Sequence, residues 1–207
     1  MYHRGMADCL PHVTAFILAG GKSTRMGADK AFVMLDGRTL LDRALELARS
    51  VTSDVRIVGD PEKFAAFAPV VEDVYRGCGP LGGIHAALRS SQAELNAMLA
   101  VDLPFLSPAL LRFLVKRAQN SSETVTVPRS GAGLQPLCAI YRREFADAAE
   151  QALCAGRYKI DSLFEANALV IEENELESAG FSQQMFRNLN TPQDVAESDA
   201  QRSKAGS

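Results

Sequence analysis

The stretch Val13-Thr14-Ala15-Phe16-Ile17-Leu18-Ala19-Gly20-Gly21-Lys22-Ser23-Thr24-Arg25-Met26-Gly27-Ala28-Asp29-Lys30 decides the fold. Val13–Leu18 is a short apolar run without alternation, which is how a strand buried on both faces reads. It stops at consecutive glycines. Successive N–H groups of such a loop form a nest for an anion. Ser23 and Thr24 add hydroxyls, and Lys22, Arg25 and Lys30 bring three positive charges. Arginine grips phosphate through a planar fork and lysine as a mobile point charge. A buried strand running into this loop is the opening of an α/β nucleotide-binding sheet.

The remaining chain keeps that rhythm. Thr39 caps a helix with apolar positions Leu40, Leu41, Ala44, Leu45 and Ala48 at helical spacing. Asp54–Val58 reads as strand, Glu62–Phe67 as a short helix, Val70–Val71 as strand and Gly77–Gly83 as a glycine-rich loop. Ile84–Ser90 is helical and Ala97–Val101 is a strand stopping at Asp102-Leu103-Pro104. Ser107-Pro108 opens a helix by a cap followed by proline. Thr124–Val127, Leu137–Tyr141 and Leu169–Ile171 are strands, Phe145–Leu153 and Thr191–Glu197 helices. The expected fold is a single α/β domain over residues 13–197: a mostly parallel, Rossmann-like twisted sheet with helices on both faces. Residues 1–12 read as a flexible leader and 198–207 as a disordered tail. Ligands of such sheets sit beyond the carboxyl ends of the strands, which singles out Ala19–Lys30 and Asp102.

Composition narrows the function. The 207 residues carry 22 basic and 25 acidic side chains, a formal charge of −3, which offers no basic field to nucleic acid. A hydrophobic fraction of 47% is too high for a disordered chain. No apolar run reaches the roughly 18 residues of a membrane span, and the N-terminus lacks the apolar core of a signal peptide. Cys9, Cys78, Cys138 and Cys154 are scattered, as are His3, His12 and His85. That pattern fits thiols in a reducing, cytoplasmic compartment and speaks against a structural zinc site.

Two motifs are decoys. Gly21-Lys22-Ser23 resembles the end of a P-loop, but the glycine required five positions before Gly21 is Phe16, inside the strand. Gly77-Cys78-Gly79-Pro80-Leu81-Gly82 spells GxGxxG. It does not join a strand directly to a helix, and the next acid, Glu94, comes too early for a dinucleotide site. Its glycines still let the backbone come close to a ligand or turn sharply.

LAGGKSTRMGADK (Leu18–Lys30) closely resembles the opening motif of nucleotidyltransferases that join a nucleoside monophosphate to a phosphorylated acceptor. GPLGGIHAAL (Gly79–Leu88), AVDLPFL (Ala100–Leu106), QPLCAIYRR (Gln135–Arg143) and NLNTPQD (Asn188–Asp194) extend the resemblance to the molybdenum cofactor guanylyltransferases, from Phe16 to about Val195. The resemblance implies GMP transfer from GTP to molybdopterin with release of pyrophosphate, and Mg2+ as cofactor. Cofactor-insertion proteins and apo-molybdoenzymes are the further partners it implies. It places Leu18, Ala19 and Gly20 on the base and sugar, Lys30 on the phosphates, Asp73 at a guanine-nucleotide contact, on the base or near the ribose, and Asp102 on magnesium. One departure stands out: the asparagine common in the family at the end of the second strand is here Val58 or Gly59.

The residues suit that chemistry. The attacking phosphate oxygen is already anionic, so neutralisation and alignment matter more than a base. Gly21 contributes to the anion nest, and Arg25 and Lys30 oppose charge on the α-phosphate and the leaving pyrophosphate. Asp102 suits magnesium, which prefers hard oxygen ligands, keeps several waters and often uses only one or two carboxylates. Gln135, Arg142, Arg157, Lys159, Asn188 and Asn190 are candidates for the acceptor's phosphate and polar pterin, and Asn190 also for the metal. His85 reads as a packing residue. The competing readings are a cytidylyltransferase on the same cofactor, a sugar-phosphate nucleotidylyltransferase, and a nucleotide-binding protein without chemistry. Relatives of the cytidylyl type tend to read LAAG where this chain reads Leu18-Ala19-Gly20-Gly21. A glycosyltransferase would want a DxD pair, which the sequence lacks.

Overall fold

A computed structural model describes residues 10, 12–20, 29–131, 133–164, 167–189 and 194. The expectations for Gly21–Ala28, for most of 1–12, for 198–207 and for nearly all of Thr191–Glu197 lie outside these residues.

The elements follow in the order β1 (Val13–Leu18), β2 (Met34–Leu35), β3 (Arg38–Thr39), α1 (Leu40–Arg49), β4 (Asp54–Val58), α2 (Pro61–Phe64), β5 (Val70–Val71), α3 (Pro80–Ser90) and β6 (Leu95–Ala100). They continue with α4 (Pro108–Gln119), β7 (Val125–Ser130), β8 (Gly133–Leu134), β9 (Cys138–Arg142), α5 (Phe145–Cys154), β10 (Ala168–Ile171) and α6 (Glu173–Ser178). One-turn 3-10 helices cover Lys30–Phe32, Ile160–Leu163 and Gln183–Phe186.

The main sheet has the order β10-β7-β9-β6-β1-β4-β5, with β8 paired to β7. β1 is central and parallel to both β4 and β6. β9 is antiparallel to β6 and to β7, so β7 and β10 again run with β1. Every strand of this sheet except β8 and β9 therefore points the same way. From β1 the chain first builds outward through β4 and β5, then returns to lay β6 on the other side. The strand order reverses between β1 and β6, and the carboxyl ends of those two strands flank the crevice that α/β sheets use for ligands.

All six residues of β1 are buried. Val13, Ala15 and Ile17 face one apolar cluster with Leu40, Leu41, Ala44 and Leu45 of α1 and Leu110, Leu111 and Leu114 of α4. Phe16 and Leu18 face the other, with Leu81, Ile84 and Leu88 of α3 and Phe145, Ala149 and Leu153 of α5. Burial on both faces explains why β1 reads as a continuous apolar run. The helix caps follow the sequence: Thr39 Oγ1 accepts from Asp42 N at 3.0 Å and Ser107 Oγ from Leu110 N at 3.2 Å, with Pro108 next.

Three local differences have physical reasons. The glycine-rich loop ends at Gly79, not Gly83, because α3 begins at Pro80. A Cβ on Gly83 would stand 3.3 Å from the Leu18 side chain, and one on Gly82 2.8 Å from the Asp73 carboxylate. Gly82 and Gly83 thus lie inside the helix and let it pack closely against Asp73 and Leu18, rather than forming the expected loop. The short helix runs Pro61–Phe64 rather than Glu62–Phe67, started by Asp60, whose Oδ1 accepts from Glu62 N at 3.0 Å. A hairpin, β2–β3, occupies ground that carried no strand expectation; Asp36 (φ 48) and Gly37 (φ 73) form its turn, the Asp-Gly pair that a two-residue hairpin favours. No helix among the described residues is long and apolar enough to cross a membrane.

Candidate active site

The carboxyl ends of the parallel strands deliver the functional residues to one edge. Leu18 is in register with Val58 and with Ala100, and Val58 with Val71. Ala19 and Gly20 therefore leave β1 beside Gly59 after β4, while Asp73 follows β5 and Asp102 follows β6. Ala19 N donates to Val58 O at 3.1 Å and Gly59 N to Val71 O at 3.1 Å, extending the ladders into the loops. Val101 N donates to Leu18 O at 3.4 Å, which keeps the chain beside β1 up to Asp102.

Lys30 Nζ reaches Asp102 Oδ2 at 2.9 Å across 72 residues of sequence, with 23% and 20% of the two side chains exposed. The pair thus sits in the crevice between β1 and β6, still reachable by a ligand. Lys30 opens a 3-10 turn capped by Asp29, whose Oδ1 accepts from Ala31 N at 3.2 Å. Asp102 is backed by the segment carrying Asn188: Leu189 N donates to Asp102 O at 3.0 Å, and Asn188 is exposed.

Asp73 is half-buried against the first turn of α3, and its Oδ1 accepts from Tyr75 N at 2.8 Å. Burial raises its carboxyl above the ordinary value, opposed by the Tyr75 amide and by the positive potential of His85 and Arg76. Tyr75 and Cys154 meet through Oη and Sγ at 3.6 Å, so the end of α5 lies beside this loop. The following segment, with exposed Arg157 and Lys159, is tied in by a hydrogen bond between the Tyr158 hydroxyl and Cys78, which raises the tyrosine's pKa.

Gln135 belongs to the same edge, because β9 enters the sheet next to the end of β6, with Leu99 opposite Cys138. Its amide is buried and donates to Ser130 Oγ at 2.8 Å and Gly133 O at 3.3 Å, bracing the β7–β8 turn. Leu18, Ala19, Gly20, Lys30, Asp73, Asp102, Gln135, Arg157, Lys159 and Asn188 thus line one side of the sheet. Gly21, Arg25 and Asn190 lie outside the described residues. Arg142 is elsewhere: paired with Leu95 at the opposite edge, it donates to Ala118 O at 3.0 Å and Ser121 O at 2.7 Å and meets Glu94. It closes the C-terminus of α4, where a cation and its donors satisfy the last carbonyls.

His85 is a packing residue, as its apolar helix implied. It is buried with its ring 5.1 Å from Tyr75, edge to face, and its Nδ1 has no hydrogen-bond partner. Burial lowers its pKa, with Arg89 helping and Glu150 and Asp73 opposing. The unfolded chain therefore takes up a proton first as pH falls. Stability falls from the ordinary histidine value near pH 6.5 downward and levels off below the folded pKa. A melt series from pH 7.5 to 5 is expected to show this decline, and His85→Gln to flatten it; equal slopes would place the linkage elsewhere.

Residues 15–171 match the model of the MobA-like NTP transferase domain. The chain belongs to the MobA-like NTP transferases. A molybdenum cofactor guanylyltransferase of Desulfosudis oleivorans is similar, 35% identical over 192 residues that cover 91% of this chain and 95% of that protein. A probable molybdenum cofactor guanylyltransferase of Pelotomaculum thermopropionicum is 34% identical over 185 residues, 88% of this chain and 89% of that protein. Among solved structures, the molybdopterin-guanine dinucleotide biosynthesis protein A of Archaeoglobus fulgidus superposes with a TM-score of 0.80 at 30% identity, covering 92% of this chain and 99% of that one. As a MobA-like NTP transferase, the chain carries Lys30 on the segment after β1 and Asp102 after β6, and the two meet between those strands.

Proposed function

We propose that this chain transfers GMP from GTP to molybdopterin, forming molybdopterin guanine dinucleotide and releasing pyrophosphate. The observation that carries the reading is the Lys30–Asp102 pair, a cation and a carboxylate side by side in the crevice between β1 and β6. The names of relatives that align over nearly their whole length supply the substrates. An acceptor phosphate oxygen attacks the α-phosphorus of GTP, a new P–O–P linkage forms, and the bond to the β-phosphate breaks. Both partners are anionic, so the chain's task is to hold them in line and to offset charge. Lys30 stands where it can swing from Asp102 to the phosphates. Ala19 and Gly20 bring bare backbone to the nucleotide, and Asp73 offers a carboxylate to the donors of guanine. Gln135, Arg157, Lys159 and Asn188 form the acceptor side.

Magnesium belongs to this reading. Asp102 Oδ2 accepts from Lys30 Nζ, and an ionised carboxylate has lone pairs on both oxygens to offer a cation. Among the described residues no group of three His, Cys, Asp or Glu could hold a metal. One carboxylate supplemented by waters and substrate phosphates is a donor set magnesium accepts. Bound there, the ion would supply charge neutralisation on the phosphates. A cytoplasmic setting and hand-over to cofactor-insertion proteins and apo-molybdoenzymes complete the proposal.

The test is nucleotide choice. GTP with magnesium is expected to raise the melting temperature more than CTP, ATP or UTP, since a ligand that binds the folded state stabilises by mass action. Asp73→Asn should erase the preference for GTP while leaving pyrophosphate binding intact. A larger shift with CTP would move the chain to the cytidylyl activity.

A further inference from the structure

The turn that carries Lys30 is fastened on both sides to α2. On the polar side, Asp29 Oδ2 accepts from Lys63 Nζ at 3.0 Å, while its Oδ1 caps the turn through Ala31 N. On the apolar side, the Phe32 ring lies 5.8 Å from Phe64, nearly parallel at 21°, and 6.0 Å from Phe67. The turn itself closes through Phe32 N to Asp29 O at 3.0 Å and Val33 N to Lys30 O at 3.1 Å. Lys30 is thus bracketed by two contacts to one short helix.

That helix is in turn seated on the sheet. Phe64 is 1% exposed, and a Cβ on Gly59 would lie 2.8 Å from its ring. The bare backbone at the end of β4 is what admits the ring. Val58 or Gly59 holds the position where the resembled family often carries an asparagine, and the space beside Gly59 belongs to Phe64. The line of contacts therefore runs from the end of β4 through Phe64 to Phe32, with Lys63 and Asp29 alongside. From the turn, Lys30 reaches across β1 to Asp102 at the end of β6.

We propose that Lys63 and Phe32 are positioning residues for the reaction: with Asp29 and Phe64 they clamp the Lys30 turn to α2 and set where the ammonium stands, without touching substrate. The inference rests on the reading of Lys30 as a phosphate-handling group. Angular slack in a short turn is magnified at the tip of a lysine, and a displacement on the order of 1 Å at a reacting group lowers rates by up to about 100-fold. Lys63→Met and Phe32→Ala are expected to lower kcat by about 5–20-fold, with KM for GTP changed less than kcat. Lys63→Arg and Phe32→Tyr keep the cation and the ring, and should recover most of the rate.

The deciding experiment is a pair of measurements on the whole chain. In the first, Lys63→Met is combined with Lys30→Met. A residue that acts through Lys30 adds no further loss once Lys30 is gone; an equal loss in both backgrounds overturns the proposal. In the second, acylation of the Lys30 amine by a soluble amine reagent is followed by mass spectrometry without nucleotide. Lys63→Met and Phe32→Ala should speed labelling of Lys30 and leave Lys116 unchanged. Wild-type labelling rates in both variants overturn the clamp. If both variants label Lys30 faster but the wild type releases no pyrophosphate with GTP and molybdopterin, the functional reading fails while the clamp stands.

Discussion

Lys30→Met is expected to lower the turnover of GTP by about 100–1,000-fold, the range seen when one preorganised charge or donor is removed from a reacting oxyanion. The effect should fall on kcat more than on KM, because the ammonium is held in reserve on Asp102 at 2.9 Å before nucleotide arrives. Leaving Asp102 to join the phosphates gains little in the ground state, since one carboxylate is exchanged for another anion. The gain comes when charge builds on the α-phosphate and on the departing pyrophosphate. Stability should change little. Both side chains keep about a fifth of their surface in water, so the pair belongs with weak, partly solvated ion pairs. Steady-state kinetics with a melt of the apo variant test this. Equal losses in kcat/KM and in GTP affinity would make Lys30 a ground-state grip.

Much of the site was legible because charge, glycine and strand end coincide in sequence. The run Val13–Leu18 followed by Ala19-Gly20 locates the crevice, and Asp102 after an apolar strand locates its other wall. Glycine could not be read fully, because a residue defined by a missing atom says nothing of what fills the space. Gly82 and Gly83 read as part of a loop, and only the fold shows them inside a helix packed against Asp73 and Leu18. Arg142 lay within a motif that also holds Gln135, yet β9 runs between them and holds them at opposite ends of the sheet; because β9 is antiparallel to β6, Gln135 is the one left beside the end of β6. The hairpin turn was there to be read in Asp36-Gly37. Lys63, by contrast, meets Asp29 over 34 residues; nothing local announces an ion pair between two segments whose juxtaposition depends on β1 and β4 being neighbours.

Asp102→Asn is expected to reduce guanylyl transfer by at least about 100-fold, since even outer partners of a metal ligand carry about 10–100-fold each. The substitution keeps the shape of the side chain and removes its charge. The backbone is unaffected in principle, because the carbonyl of residue 102, not the carboxylate, accepts from Leu189 N. The apo melting temperature should therefore stay close to that of the wild type. Magnesium discriminates strongly between a carboxylate and a neutral amide oxygen, being small and reluctant to lose its waters. Calorimetric titration of GTP at rising magnesium gives a readout apart from turnover: affinity should climb with magnesium in the wild type and much less in the variant. Manganese, which accepts softer donors more readily, should restore part of the activity. The variant also separates two roles that the ion pair merges. If Asp102 acts only by holding Lys30, Asp102→Asn weakens that hold, and GTP binding strengthens with no change in its magnesium dependence. If it binds the metal, that dependence is lost.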